Sequence, residues 1–172
     1  MGAVRSSRMR GQAMVEFAAA ATVLLLVFTG IMDLSFLFAS HVATTNSARA
    51  SARYAAANPT AWTNAANPAS NTIEGQLKLL ATPAVIVNDD THIQITYTVP
   101  GAGAGTLCGK YSAASNTFVP TSGTDFTQAT CVVPGHLVTV KATYSYYFMT
   151  PFLAQPFGSV TVSSTASELE ET

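Results

Sequence analysis

Residues 17–40 read FAAAATVLLLVFTGIMDLSFLFAS, and this stretch decides the architecture. As an α-helix, Ala18 to Ala39 is roughly 33 Å long, enough to cross a hydrocarbon core of about 30 Å. A cleaved secretory signal has a shorter core, of about 7–15 residues, followed by a small-residue cleavage site. Here helix-compatible residues (HVATTNSARASARYAAA, 41–57) continue beyond the apolar run, so a retained anchor is expected. Arg5, Arg8 and Arg10 precede the run with no acid among the first eleven residues, whereas the far flank has its first cations at Arg49 and Arg53. The positive-inside rule then puts the N-terminus in the cytoplasm and the bulk of the chain outside.

The rest of the composition agrees with an anchored, uncharged body. The chain has 172 residues, of which 48% are hydrophobic and 10% charged, with a formal net charge of −1. Charged residues make up about a quarter of an ordinary soluble domain, so this chain is charge-poor. Its length allows one modest domain with an appendage. Eight Lys and Arg in a near-neutral chain argue against nucleic acid as the partner, and the abundance of apolar residues argues against disorder.

Two acids interrupt the apolar segment. Glu16 stands immediately before Phe17, and Asp33 follows seventeen residues later, roughly 25 Å along the axis. An ionised carboxylate in hydrocarbon costs at least about 2.5–3.5 kcal/mol on insertion scales, so each acid calls for a partner or an interface. Glu16 taken alone reads as an interfacial acid at a helix N-terminus, and Asp33 as one tilted into the outer headgroups.

The string Arg10-Gly11-Gln12-Ala13-Met14-Val15-Glu16-Phe17 adds context. A basic leader, a glycine, four residues, a glutamate and an aromatic before a spanning helix resemble the prepilin-peptidase site of Flp-type pilins and TadE-like pseudopilins. Gly30-Ile31-Met32-Asp33-Leu34 is similar to that family's Gly-Ile-x-acid-Leu step. Asn46 to Ala56, which contains Ala52-Arg53-Tyr54-Ala55, looks like its Ala/Arg-rich segment. The proline common early in the family's membrane helix is replaced around Thr22, so a kink there is not implied. The resemblance covers residues 10–56 and implies cleavage after Gly11, leaving Gln12 as the mature N-terminus and Glu16 at mature position five. It also implies a prepilin peptidase and other pilins or pseudopilins as partners, with work in tight-adherence (Flp, type IVc) pilus assembly and adhesion. Gly11 is expected to keep the scissile bond unencumbered and non-helical. Electrostatics gives Glu16 a use in assembly, because a neighbour's Gln12 amine can neutralise it when subunits leave the bilayer.

The expected organisation is a basic leader (1–11), a transmembrane helix (12–40), its extracytoplasmic continuation (41–57) and an α+β domain (58–172). In the continuation, Ala48, Ala52, Ala55 and Ala56 form a smooth stripe that lets another backbone approach. Arg49 and Arg53 share a face four residues apart, either as solvated cations or as contacts to an acidic neighbouring subunit. Asn58-Pro59 ends the helix. After a linker-like stretch with Trp62 as an anchor, the sequence predicts a short helix capped by Asn71, with Ile73, Leu77 and Leu80 as its apolar stripe. Alternation at 92–99 and 137–147 predicts two antiparallel strands, and Val160 and Val162 predict a shorter third. Residues 100–135 are an irregular excursion or hold a hairpin around Phe118-Val119 and Cys131 to Val133. Glu168, Glu170 and Glu171 read as a solvated tail.

Cys108 and Cys131 both lie in the excursion, on the side expected to be oxidising, so a disulfide is expected. Such a bond closes a loop of about 24 residues and contributes roughly 3 kcal/mol in the chain-entropy picture. Chemistry is otherwise thin. His41, His92 and His136 are scattered, Asp89-Asp90 reads as a turn, and Gly101 to Gly105 as a flexible loop. No catalytic, cofactor or metal site is expected, and no small-molecule substrate. The competing reading is a signal-anchored cell-envelope binding or enzymatic domain, which would gather titratable residues in one pocket.

Overall fold

The computed structural model describes residues 5–101 and 105–171, with side chains from Gly11 onward. The start of the basic leader, its arginine side chains and the centre of the Gly101–Gly105 loop therefore lie outside the described residues.

One helix, α1 (Arg5–Ala57), carries the whole chain. At 53 residues it is about 80 Å long, with no kink-forming proline. It stops where Asn58 and Pro59 end the pattern, and the Asn58 N–H closes on the Tyr54 carbonyl at 2.8 Å. Helix α2 (Ile73–Leu80) follows the linker. Its N-cap is Thr72, whose hydroxyl accepts from the Gly75 N–H at 3.1 Å, so the cap lies one residue beyond the expected Asn71. Ile73 and Leu77 are buried as the stripe requires, but Leu80 faces solvent.

The sheet is fully antiparallel, ordered β3-β2-β1-β4-β5. Its strands are β1 (Ile93–Val99), β2 (Thr106–Ser112), β3 (Thr117–Pro120), β4 (Leu137–Tyr147) and β5 (Ser159–Leu169). The alternation read from the sequence decides its faces. Ile93, Ile95, Tyr97, Val138, Val140, Ala142 and Tyr146 turn inward, while the Thr- and Lys-bearing positions between them stay open to solvent. Two expectations fail here. The last strand is eleven residues long, because β5 pairs with β4 from Tyr147↔Ser159 to Leu137↔Leu169. Its Ser/Thr alternation carries few apolar residues, which hid it. The excursion does contain a hairpin, formed by β2 and β3, but Cys131 belongs to a single helical turn, α3 (Gln128–Cys131).

Helix and sheet lie lengthwise on each other, with α1 packed on β4, β5 and α2. The approaching backbone that the small-residue stripe admits is the chain's own. Ser40, Thr44, Ser47, Ala48, Ser51, Ala52, Ala55 and Ala56 are all buried under the sheet and α2. Small side chains let the strands come close, and Thr44 and Ser47 satisfy their hydroxyls on helix carbonyls at 2.7 and 2.9 Å. The tip of the β4–β5 hairpin, helix α4 (Pro151–Phe157), meets α1 near Asp33. Its open end meets Ala56, whose carbonyl accepts from the Glu171 N–H at 3.1 Å. From Asp33 to Ala56 the helix rises about 35 Å, and ten strand steps of β4 cover about 34 Å. The two elements are matched in length.

Cys108 and Cys131 are bonded, with Cα atoms 5.8 Å apart and both residues fully buried. The bond clips α3 to β2 and fixes an excursion that has little apolar surface of its own. Replacing both cysteines by alanine should lower stability by about 3 kcal/mol. Denaturant unfolding of the detergent-solubilised full chain checks this, and an unchanged midpoint counts against a structural role.

Candidate functional site

The residues singled out in the sequence fall in three places along α1. Gly11, Gln12, Glu16 and Phe17 occupy its exposed N-terminal part. The backbone is helical across Gly11–Gln12, which corrects the expectation of a non-helical scissile bond. Local propensity explains the difference, since the flanking residues favour helix and one glycine costs only about 1 kcal/mol. The Gln12 side-chain amide donates to Glu16 Oε1 at 3.1 Å, one helical turn away. From Gly11 to Met32 every side chain is exposed or half-exposed, among them Leu24, Leu25, Val27 and Phe28. A predominantly apolar, uncovered segment about 32 Å long has the dimensions of a bilayer core.

Asp33 closes that segment and is the most constrained residue of the helix. It is 2% exposed. The Met149 N–H donates to Oδ1 at 3.1 Å, and the Thr150 N–H donates to Oδ2 at 3.0 Å. The Thr150 hydroxyl donates to the same Oδ2 at 2.5 Å. The Tyr146 hydroxyl donates to the Asp33 backbone carbonyl at 3.1 Å, with Oδ1 3.4 Å away. No cation takes part in these contacts. Four donors from the β4–α4 turn replace the water that the carboxylate has lost, as a buried acid requires. The carboxylate in turn gives acceptors to two backbone N–H groups that strand and helix pairing leave over at that turn. The sheet thus covers the helix from Asp33 onward, including Ser40 and the half-buried Leu37 within the stretch expected to span.

Farther out, Arg49 is exposed and Arg53 lies 3.6 Å from Glu168 of β5. That pair is largely solvated, with side chains 77% and 41% exposed, so it adds little. The C-terminal acids are not a solvated tail. Glu168 is in β5, the Glu170 N–H donates to the His136 carbonyl, and the Glu170 side chain is 3% exposed with neither oxygen partnered.

Glu74 is the third buried acid. It points from α2 into the core, where Oε2 accepts from the Thr63 N–H at 3.1 Å and Oε1 has no partner among the described residues. Glu170 and Glu74 both act on Tyr97, whose hydroxyl accepts from the Trp62 indole N–H at 2.7 Å and donates to the Pro59 carbonyl. Trp62 also stacks on Tyr111 at 5.3 Å and so anchors the linker, as expected. Burial pushes the Glu74 and Glu170 carboxyls up to about 7. Asp89 behaves oppositely. Its carboxylate accepts from the Thr91 and His92 N–H groups and from the His92 ring, which hold it down at about 2 although burial works the other way. Asp89-Asp90 is a turn, with Asp90 tied to Ser112 and Ala113 of β2 and its end. Among the described residues no group of His, Cys, Asp and Glu is arranged to hold a metal ion.

The geometry is that of an exposed apolar rod joined to a rigid sheet by one buried carboxylate. Residues 11–53 match the family model for TadE-like proteins. The match begins on Gly11, covers a quarter of the chain and ends within α1. That segment is similar to TadE-like pilus proteins of the tight-adherence system. No curated protein and no solved structure matches the chain significantly.

The TadE-like segment therefore holds Gly11, Glu16, Asp33, Arg49 and Arg53, while the residues that clamp Asp33 lie outside it. Met149 and Thr150 were not singled out in the sequence, and Tyr146 reads there only as part of the apolar face of the 137–147 strand. The one signal for them was Asp33 itself, an acid in an apolar run that needs donors. Nothing in the sequence marked Glu74 and Glu170 as buried.

Two outcomes follow for the folded chain. In Asp33→Asn, one carboxamide edge is a donor, so at least one of the Met149 and Thr150 N–H groups loses its acceptor. The loss should cost about 1–3 kcal/mol and open residues 147–158 to limited proteolysis. Wild-type cleavage kinetics there would show that the clamp is dispensable. The second outcome concerns pH. A carboxyl that ionises at about 7 when folded and near 4.5 when unfolded leaves the folded state holding the extra proton between those values. Stability should therefore fall as pH rises from 4.5 to about 7, whereas Asp89 withdraws its contribution only as pH falls from 3.8 toward 2. Thermal melts across this range check the slope, which Glu74→Gln and Glu170→Gln should flatten. A flat or rising wild-type profile contradicts it.

Proposed function

We propose that this chain is a pseudopilin, or minor pilin, of the tight-adherence (type IVc) pilus, made as a precursor that a prepilin peptidase cleaves between Gly11 and Gln12. The observation that carries this reading is the family match starting on Gly11, with Glu16 five residues on and a lipid-length exposed helix behind it. We take the span as Gly11 to Met32, against the expected 12–40, because from Asp33 onward one face of the helix is covered by the sheet. The N-terminus faces the cytoplasm and the α+β domain stands outside the inner membrane, consistent with the oxidised Cys108–Cys131 pair.

In the precursor, Glu16 sits little more than one helical turn inside the cytoplasmic end of the span, and among the described residues the Gln12 amide is its hydrogen-bond partner. The peptidase must unwind the helix at its scissile bond, and Gly11 lowers the resistance of that turn. Cleavage then supplies a cationic amine on Gln12. On assembly, when α1 leaves lipid for a packed bundle, a neighbour's amine compensates Glu16 and fixes axial register. Arg49, exposed, and Arg53, only loosely held by Glu168, are available to acidic faces of adjacent subunits.

Intact-mass measurement on protein from a host with the matching peptidase should find Gln12 as the N-terminus. Glu16→Gln should leave insertion and membrane level unchanged while reducing recovery in sheared pilus fractions. Retention of residues 1–11 in that host contradicts the pseudopilin reading. Wild-type recovery of Glu16→Gln would leave processing intact but remove the register role.

A further inference from the structure

The β4–α4–β5 hairpin has an uneven distribution of charge. From Ala142 to Ser167 there is no Asp, Glu, Lys, Arg or His, whereas its open end carries Lys141, Glu168, Glu170 and Glu171. At the uncharged end, Tyr147, Met149, Phe152 and Phe157 are 70%, 77%, 67% and 63% exposed, and α4 has no buried residue. A protein of this size rarely leaves such side chains together in water. They are held in place from behind. Phe148 packs on Tyr146 and Phe157, with ring centroids 5.5 and 6.1 Å away, and Met149 and Thr150 are bound to Asp33.

The clamp decides what this patch faces. Asp33 follows directly on the uncovered segment Gly11–Met32, whose length equals that of a hydrocarbon core. With Asp33 at the outer end of the span, the turn bound to it lies at the same depth, beside exposed Met32 and Phe36 of α1. The patch is thus continuous with the lipid-facing surface of the helix. At that level Tyr147 has the amphipathic ring that favours the interface, Phe152 and Phe157 supply apolar area, and the absence of any charge over 26 residues removes the cost of entering it.

We propose that α4 and its flanks form a second membrane contact, seated in the outer leaflet of the bilayer beside the spanning helix, so that the unassembled subunit rests its hairpin tip on lipid. The lipid is recognised through its headgroup–acyl boundary and not through a charged headgroup. The proposal rests on the reading of Gly11–Met32 as the span. On extraction into a filament the same patch must leave lipid, which ties its exposure to assembly.

The test uses the full chain reconstituted in phosphatidylcholine vesicles, with an environment-sensitive nitrobenzoxadiazole label on one introduced thiol. The native cysteines are bonded to each other and do not compete. Three variants are compared: Phe152→Cys at the tip, Leu25→Cys in the span and Ser115→Cys in the exposed β2–β3 turn. A label at 152 should emit to the blue of one at 115 and lose intensity to lipids spin-labelled near the headgroup. A label at 25 should be quenched by lipids spin-labelled deep in the chain, and a label at 115 by neither. If 25 is quenched and 152 behaves like 115, the second contact is wrong and the span stands. A blue-shifted but unquenched label at 152 means that protein covers the patch, which also overturns the proposal. An unquenched label at 25 overturns both.

Discussion

Everything outside the spanning segment depends on one buried carboxylate, that of Asp33. A helix of about 80 Å and a sheet in the same chain could slide along each other, because a stripe of Ala, Ser and Thr is smooth and offers no register. Asp33 removes that freedom. Its two oxygens fit the Met149 and Thr150 N–H groups at one position only, and a shift by one helical turn would leave a charge and two amides buried without partners. At the other end of the hairpin, the Glu171 N–H meets the Ala56 carbonyl. Between these points the helix and the strand have the same length, so a single polar contact at one end aligns the whole interface.

The clamp also explains how a charge-poor chain divides its surface. Below Asp33 the helix is apolar on every side, which suits lipid or a packed bundle of like helices. Above it, one helical face is reserved for the sheet, and small residues there trade side-chain burial for close backbone approach. The core that results is thin, with Ile93, Ile95, Tyr97, Val138 and Val140 supplying most of its bulk. The disulfide and the Trp62–Tyr97–Pro59 hydrogen bonds reinforce the parts that packing leaves weak. Glu74 and Glu170 are buried in that same core with oxygens unpartnered among the described residues, so the α+β body is better suited to mildly acidic than to alkaline surroundings.

Much of the fold was legible because its signals are periodic or punctuated. The apolar run, the stop at Asn58-Pro59 and the alternation at 92–99 and 137–147 each rest on a local rule that the tertiary structure does not oppose. The bonded Cys108 and Cys131 followed from compartment and loop composition. What the sequence hid is nonlocal. Strand β5 reads as a short strand at Val160 and Val162 until Ser159 to Leu169 is seen paired with β4, and Glu170 reads as tail because its burial depends on where that strand ends. Asp33 was visible as an anomaly, but its donors lie 113 to 117 residues downstream, and nothing at Met149 or Thr150 marks them. The Gly11–Gln12 bond was expected to be non-helical. It is helical because the local sequence favours a helix there.

The claim that carries most weight is that Asp33 holds the β4–α4 turn through its backbone amides. Residue-resolved hydrogen exchange on the full chain in detergent micelles tests it directly. The amides of Met149 and Thr150 should exchange as slowly as those of β4, and in an Asp33→Ala chain both should lose that protection while the β1 amides keep theirs. Exchange at those two positions that is fast in the wild type, or that does not change when the carboxylate is removed, would contradict the account.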